Sequence, residues 1–388
     1  MDPKQLLEQN QSFCMMPFVH LHVNENDAIK PCCYGDNIKQ FPVGFDYATD
    51  PDFQRIRSDM LAGIPVRECQ NCYKVEANGG ESYRQRDSAE WMTKTGITTL
   101  DQVQPAVRYY DIRNDNTCNL SCRMCHPGAS SQLVKEYERI GWTVVDTSRR
   151  VKLSEVVDYH TVEKVIVAGG EPTIMPEFQT FLSQALEHGR QDIELMVITN
   201  ATNVNPRVFE LLSKFTNVQF TVSIDGYDQV NRYIRWPSDW TTLTRNIHRL
   251  RTITDQVCFS VCASIWNIAN LSQLIKFLDR EYNVPVILIN EAMNPRSDAE
   301  VSPFLFPNKE LALADLEQCK QSRNYEIDDF YRNRIDYFIN GIKTAVVGAT
   351  KLNKFFAYND QLDASRGIQL KDYIPELEAV RPACDLTK

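Results

Sequence analysis

Twelve cysteines in a chain of 388 residues are the first feature with chemical content. Three of them lie in Cys118-Asn119-Leu120-Ser121-Cys122-Arg123-Met124-Cys125, a C-x3-C-x2-C run. Three thiolates this close on one loop can hold three irons of a cubane cluster. The fourth iron then lacks a protein ligand and is open to a small molecule, whereas four cysteines complete an electron-transfer cluster. A catalytic zinc with three protein ligands follows the same logic. The plain rival is a structural zinc site, or three incidental cysteines. A second feature is Ala168-Gly169-Gly170-Glu171-Pro172. Two glycines at a strand end let backbone approach a ligand, and their N–H and C=O groups can bind a carboxylate or an ammonium. Taken alone, the same residues read as a tight strand-to-helix turn.

Cys69-Gln70-Asn71-Cys72 is a C-x2-C pair, and Cys14 and the adjacent Cys32-Cys33 supply further thiols. Four thiolates drawn from a hairpin and a C-x2-C knuckle fit a closed tetrahedral site for zinc or for an iron–sulfur cluster. Spacing does not choose the metal. Neighbouring strand residues face opposite sides, so Cys33 is the substitute for Cys32 rather than its companion. His20 and His22 share a strand face and read as half-buried polar residues rather than ligands. His126 reads as a hydrogen-bond donor beside Cys125. Cys258 and Cys262 read as core, and Cys319 and Cys384 have no spacing partner. Arg149-Arg150 reads as a solvated pair. Tyr233, Arg235 and Trp236 follow a predicted strand, and Arg235 has the chemistry to hold a carboxylate or phosphate.

These groups need elements to position them. Residues 18–23 alternate and predict a strand, with a returning strand over 28–33 after the turn Asn24–Asp27. A helix is expected from Phe53 to Leu61, stopping near Gly63. Residues 77–104 read as a polar linker or cover. From Ala106 strands and helices alternate. The strands are expected at Val107–Arg113, Lys164–Ala168, Glu194–Thr199, Val218–Ile224, Cys258–Ile265 and Val286–Asn290. The helices are expected at Ala129–Ile140, Glu177–His188, Pro206–Lys214, Thr241–Ile253 and Leu271–Arg280. Six such units indicate an α/β fold with a parallel sheet; periodicity does not separate an open sheet from a barrel. Beyond about residue 300 the chain reads as helical. The expected division is 1–104, 105–295 and 296–388.

Composition narrows the function. Hydrophobic residues make 43% and charged residues 24%, which excludes wholesale disorder. The net charge of −9 disfavours a nucleic-acid partner. No apolar run has membrane-spanning length and the N-terminus lacks a signal-peptide core, so the expectation is a cytoplasmic protein without a membrane partner.

Cys118, Cys122 and Cys125 followed by Gly169-Gly170-Glu171-Pro172 resemble the radical S-adenosylmethionine (SAM) superfamily, over roughly residues 106–293. The resemblance implies a partial (β/α)6 barrel of the TIM type whose three cysteines hold a [4Fe–4S] cluster. SAM would bind its open iron and be cleaved reductively to a 5′-deoxyadenosyl radical that abstracts a substrate hydrogen. It places Gly169, Gly170, Glu171 and Pro172 at the methionyl group, Asn200 at SAM, Ser223 and Asp225 at the ribose or carboxylate, and Asn267 near adenine. Met124 takes a slot that is often aromatic. As plain rivals, Asn200 and Asn267 are helix caps and Asp225-Gly226 a turn.

Cys14, Cys32, Cys69 and Cys72 resemble the twitch module, the shorter relative of the SPASM extension, here ahead of the barrel rather than after it. That likeness implies a second, auxiliary [4Fe–4S] cluster on these four residues. The activity implied is a radical SAM oxidoreductase, fed by a one-electron donor such as flavodoxin or ferredoxin. It would perform a two-electron oxidation of a small molecule or peptide. Similar enzymes act on aminocyclitols, sulfatase residues or ribosomal peptides. No peptide-leader domain is evident, which favours a small molecule or a separately presented peptide. The rivals are a radical rearrangement or epimerisation with a structural auxiliary cluster, and a zinc-stabilised binding protein without catalysis.

Overall fold

The computed structural model describes residues 2–77, 80–113, 115–144, 151–289, 292, 294–296 and 299–382, with only the backbone described at 287–289. Arg149, Arg150, Cys384 and Asn290 of the sixth predicted strand lie outside the described residues. The chain divides into two compact units. One comprises residues 1–115, 147–197 and 210–218, the other residues 116–146, 198–209 and 219–388.

In the first unit the strands are β1 (His20–Val23), β2 (Ala28–Lys30), β3 (Lys39–Gln40), β4 (Tyr109–Arg113), β5 (Lys164–Ala168) and β6 (Glu194–Thr199). The chain passes into the second unit within β6. Strands β1, β2 and β3 pair antiparallel, β1 pairs parallel with β4, and β4, β5 and β6 run parallel. The second unit carries β7 (Val218–Ser223), β8 (Val257–Cys262) and β9 (Val286–Ile289), also parallel. Strands β4 to β9 alternate with helices, so the fold is the α/β, partial (β/α)6 class expected. The helices Ser131–Arg139, Pro176–Glu187, Pro206–Leu212, Trp240–Leu250 and Leu271–Glu281 fall on the five predicted segments. Beyond residue 300 lie the helices Lys309–Cys319, Asp329–Thr344 and Ala349–Arg366, the helical C-terminal region.

Three local expectations change. The predicted strand over 18–23 begins only at His20, because Pro17 opens a helical turn over Met16–Val19. The return strand ends at Lys30 rather than Cys33. Pro31 has no N–H for the ladder, and Gly35 N donates to Cys32 O at 3.1 Å in the turn that follows. Cys32 and Cys33 therefore sit on a turn, and strand alternation does not separate them. Nearly half of the predicted linker is the helix Tyr83–Thr95, opened by a Ser82–Gln85 capping box and closed by Gly96 at φ 70°. Its buried face is Arg84, Ser88, Trp91 and Met92. Half of that face is polar, which hides the period. Arg84 is buried because Glu76 meets it at 2.7 Å.

Trp91 is 1% exposed and stacks on Tyr109 at 5.9 Å. Trp91→Ala is expected to cost about 3–5 kcal/mol. Urea unfolding should show this as a lower midpoint with an unchanged slope.

Candidate functional site

The three-cysteine loop lies in the second unit. Cys118, Leu120 and Cys122 are buried together and Cys125, half-buried, packs against them. The loop is held by its backbone. Ser121 N donates to Trp236 O at 2.6 Å, and Arg123 N to Ile234 O at 2.8 Å. Ser130 Oγ donates to Leu120 O at 2.6 Å.

The helix Ala349–Arg366 supplies the rest of the grip. Tyr358 OH donates to Arg123 O at 2.6 Å, and Arg366 Nη2 to Ser121 O at 2.7 Å. Arg366 also pairs with Glu136 at 2.7 Å, both side chains being almost wholly buried. Arg123, between two of the cysteines, has no exposed side-chain surface. Its guanidinium lies 3.6 Å from the Tyr233 ring centroid, donates to Asn359 Oδ1 at 3.1 Å, and pairs with Asp363. A charge survives burial only with such partners. Sequence reasoning missed Arg123, Arg366, Tyr358, Asn359 and Asp363. Tyr233, which follows a predicted strand, is wholly buried against Arg123.

The polar residues expected to touch SAM divide by what already occupies them. Asn200 Nδ2 donates to Asn119 Oδ1 at 3.1 Å and lies 4.0 Å from Cys118 Sγ, while its Oδ1 accepts from Thr202. It is thus part of the cysteine loop's own network. Asp225 is buried, accepts from Cys262 N at 2.8 Å and meets Arg235 Nε at 2.5 Å. This corrects the reading of Arg235 as an anion holder, since its charge is spent on Asp225. Asn267 is buried and engaged at both ends. Its Nδ2 donates to Asp225 O and Cys262 O, each at 2.9 Å, and its Oδ1 accepts from Ser264 N at 2.8 Å. Ser223 ends β7 half-buried, and Met124 and His126 are half-buried. Cys258 is buried as expected of a core residue, Cys262 is only half-buried, and Cys319 is buried.

In the first unit Gly169 has φ +114°, a conformation that strains any L side chain. A Cβ there would also stand 3.0 Å from Asp115 O. Gly170 N donates to that same oxygen at 3.1 Å. Glu171 is buried and its Oε1 accepts from Thr173 N and Oγ1, at 3.1 and 2.6 Å, capping the short turn that Pro172 opens.

The same unit brings Cys14, Cys32, Cys33, Cys69 and Cys72 onto one cavity. Burial pushes the Cys14 thiol up to about 12 and Cys32 well above its usual value. Cys14 and Cys69 are among the groups that act electrostatically on Cys32, whereas Cys33 responds to Asp111, Asp87, Arg113 and Lys30. Cys33 acts on Cys32 more strongly than either, as its chain neighbour, so Cys32 is electrostatically linked to Cys14 and Cys69 as well as to Cys33. At neutral pH such thiols hold their protons until a cation displaces them. His20 lines this cavity too, and burial pushes its imidazole down to about 3.

The donor sets fit iron–sulfur chemistry on both counts: three grouped thiols on a braced loop, and a cavity of buried thiols. The model of the Radical SAM superfamily matches residues 116–277. The matched segment is radical SAM-like. It contains the cysteine loop, Gly169–Pro172, Asn200, Ser223, Asp225 and Asn267. It leaves out the first-unit cysteines and the helix Ala349–Arg366.

Among curated relatives, the sporulation killing factor maturation protein SkfB of Bacillus subtilis is 27% identical over 31% of this chain and 27% of its own length. The radical SAM cyclopropyl synthase TigE of Paramaledivibacter caminithermalis is 24% identical over 55% of this chain and 46% of its own. The mycofactocin maturase MftC of Mycobacterium ulcerans is 25% identical over 55% and 56%. The chain thus spans between about a quarter and just over half of these relatives. A solved structure of anSMEcpe with bound AdoMet aligns at TM-score 0.40 and 13% identity, over 60% of this chain and 61% of that one.

Arg366→Met is expected to leave the buried Glu136 with only the exposed Arg139 as cation, at 3.5 Å, and Ser121 O without its Arg366 donor. The cost should be about 3–5 kcal/mol, read from the unfolding free energy. Asp360→Asn, on an exposed carboxylate of the same helix, should stay within about 0.5 kcal/mol.

Proposed function

We propose that this chain is a radical SAM oxidoreductase with two [4Fe–4S] clusters, catalysing a two-electron oxidation of a small molecule or peptide. The observation that carries the reading is the buried, cross-braced loop that groups Cys118, Cys122 and Cys125. Those three residues would hold the SAM-binding cluster. Cys14, Cys32, Cys69 and Cys72 would hold the auxiliary cluster of an N-terminal twitch-like module, with boundaries near residues 104 and 295 marking off the barrel. When bound, cluster and SAM supply one-electron reductive cleavage and hydrogen abstraction, the hard chemistry that a cofactor carries for a protein.

The protein's own groups do the rest. Leu120 N donates toward Cys118 Sγ at 3.5 Å, with the Asn200 amide at 4.0 Å. Burial raises the Cys122 thiol, and Arg235 and Arg366 draw it back toward the thiolate. Burial thus opposes the anionic, ligating form, while the donated N–H groups and the two guanidiniums favour it. Gly169 to Pro172 would line the methionyl end of SAM, the missing side chain at Gly169 letting backbone approach the ligand closely. Asp225 and Asn267 are engaged within the second unit, Asn267 Nδ2 donating to Asp225 O and the Asp225 carboxylate pairing with Arg235. Met124 and Ser223, half-buried, are free to pack on or bond the nucleoside. An external donor such as flavodoxin or ferredoxin would supply the electron, consistent with a cytoplasmic enzyme. Among the described residues no helix is long and apolar enough to cross a membrane. The relatives named for maturation of a product support a precursor as substrate, and the cyclopropyl synthase keeps non-oxidative outcomes in view.

Anaerobic reconstitution tests this. About eight irons per chain and 5′-deoxyadenosine from SAM plus dithionite are expected. A Cys118/Cys122/Cys125→Ala variant should keep about four irons and form none of that product. Zinc bound through sulfur with no 5′-deoxyadenosine would leave the binding-protein reading instead.

Choice of the fourth auxiliary ligand is separately testable. Cys32→Ser should lose about four irons, and Cys33→Ser should lose none. The reverse pattern would move the ligand to Cys33.

A further inference from the structure

His20 and His22 point to one face of β1, and Asp111 stands opposite His22 on the parallel neighbour β4. All three are buried, at 0%, 3% and 1% exposure. One nitrogen from each imidazole and one carboxylate oxygen lie within 4.8 Å of one another. His22 Nδ1 is 3.0 Å from Asp111 Oδ2. Neither nitrogen of His20 has a hydrogen-bond partner. That is anomalous, because a neutral imidazole always carries one N–H donor and one acceptor, and buried polar groups are almost always paired. The ring itself is fixed by stacking on Tyr109 at 3.9 Å.

We propose that His20, His22 and Asp111 form a mononuclear binding site for a divalent transition metal of the zinc class. Two imidazoles and one carboxylate suit zinc or iron(II) rather than magnesium or calcium, which prefer all-oxygen shells. A tetrahedral zinc with bonds of about 2.0–2.1 Å separates its ligand atoms by about 3.3 Å, close to the His22–Asp111 spacing. The second carboxylate oxygen is not idle: Arg113 Nε lies 3.3 Å from Asp111 Oδ1. Arg113 Nη2 also donates to Oδ2 at 3.4 Å, so the guanidinium fixes the carboxylate's orientation while Oδ2 stays beside His22 Nδ1. Three protein ligands leave one position of a tetrahedral ion for water or a small anion. The rival is a His22–Asp111 ion pair packed beside an inert His20. It leaves both His20 nitrogens unexplained. The site shares no ligand with the thiols of the first unit, and the proposal stands whether or not the radical SAM reading does.

The test uses the full chain with its clusters reconstituted, so that thiols are occupied, then equilibrated with Zn²⁺ and washed with a weak chelator. About one zinc per chain beyond the iron is expected. X-ray absorption at the zinc edge should show nitrogen or oxygen neighbours at about 2.0–2.1 Å and no sulfur. His20→Ala should weaken zinc binding at least about tenfold, as should Asp111→Asn, which keeps the side chain's size. If His20→Ala does not fold, Asp111→Asn alone decides. Unfolding temperature and iron content are the controls. A sulfur shell at about 2.3 Å, no retained zinc, or zinc affinity unchanged in a folded variant would overturn the site.

Discussion

Everything at the three-cysteine loop depends on two buried arginines. The loop has little regular structure, so its shape comes from what its carbonyls and amides bind. Arg366 takes the Ser121 carbonyl while paired with Glu136. Arg123 lies under Tyr233 and against Asp363. A buried cation without its partners is costly, so these contacts form together or fail together. The helix Ala349–Arg366, outside the family-matched segment, is therefore part of the site rather than an appendage.

Burial has the opposite effect on the thiols. It pushes Cys14 and Cys32 toward the protonated form, so without metal these thiols pack as members of a neutral apolar cluster. That cluster also includes Phe13, Phe18, Trp91 and Met92. The first unit can thus pack before any metal arrives, and cation entry exchanges protons for charge.

Much of this was legible in the sequence. Strands β5 and β6 agree with their predicted spans to the residue, because Val165, Ile166 and Val167, and Met196, Val197 and Ile198, leave no competing period. The ligand spacings were legible as well, since C-x3-C-x2-C is a local pattern. The supporting contacts were not: Arg123 meets Asn359 across 236 residues and Asp363 across 240. No local signal marks such a pair. Arg235 looked free because Asp225, ten residues earlier, gave no hint that its carboxylate would turn back. The helix Tyr83–Thr95 was hidden by Arg84 and Ser88 on its inner face, although Ser82 and Gln85 had announced its start. His20 and His22 were visible as a pair, but only the register between β1 and β4 brings Asp111 beside them.

The long span between the loop and its brace has a consequence for biogenesis. Tyr358 and Arg123 are 235 residues apart. At about 5–20 residues per second a ribosome needs roughly 10–50 s to make that stretch. For that time the cysteine loop is already in the nascent chain while the helix that shapes it has not been synthesised. Cluster insertion at this loop is thereby made a late event, and iron delivered early would meet three cysteines not yet held in place.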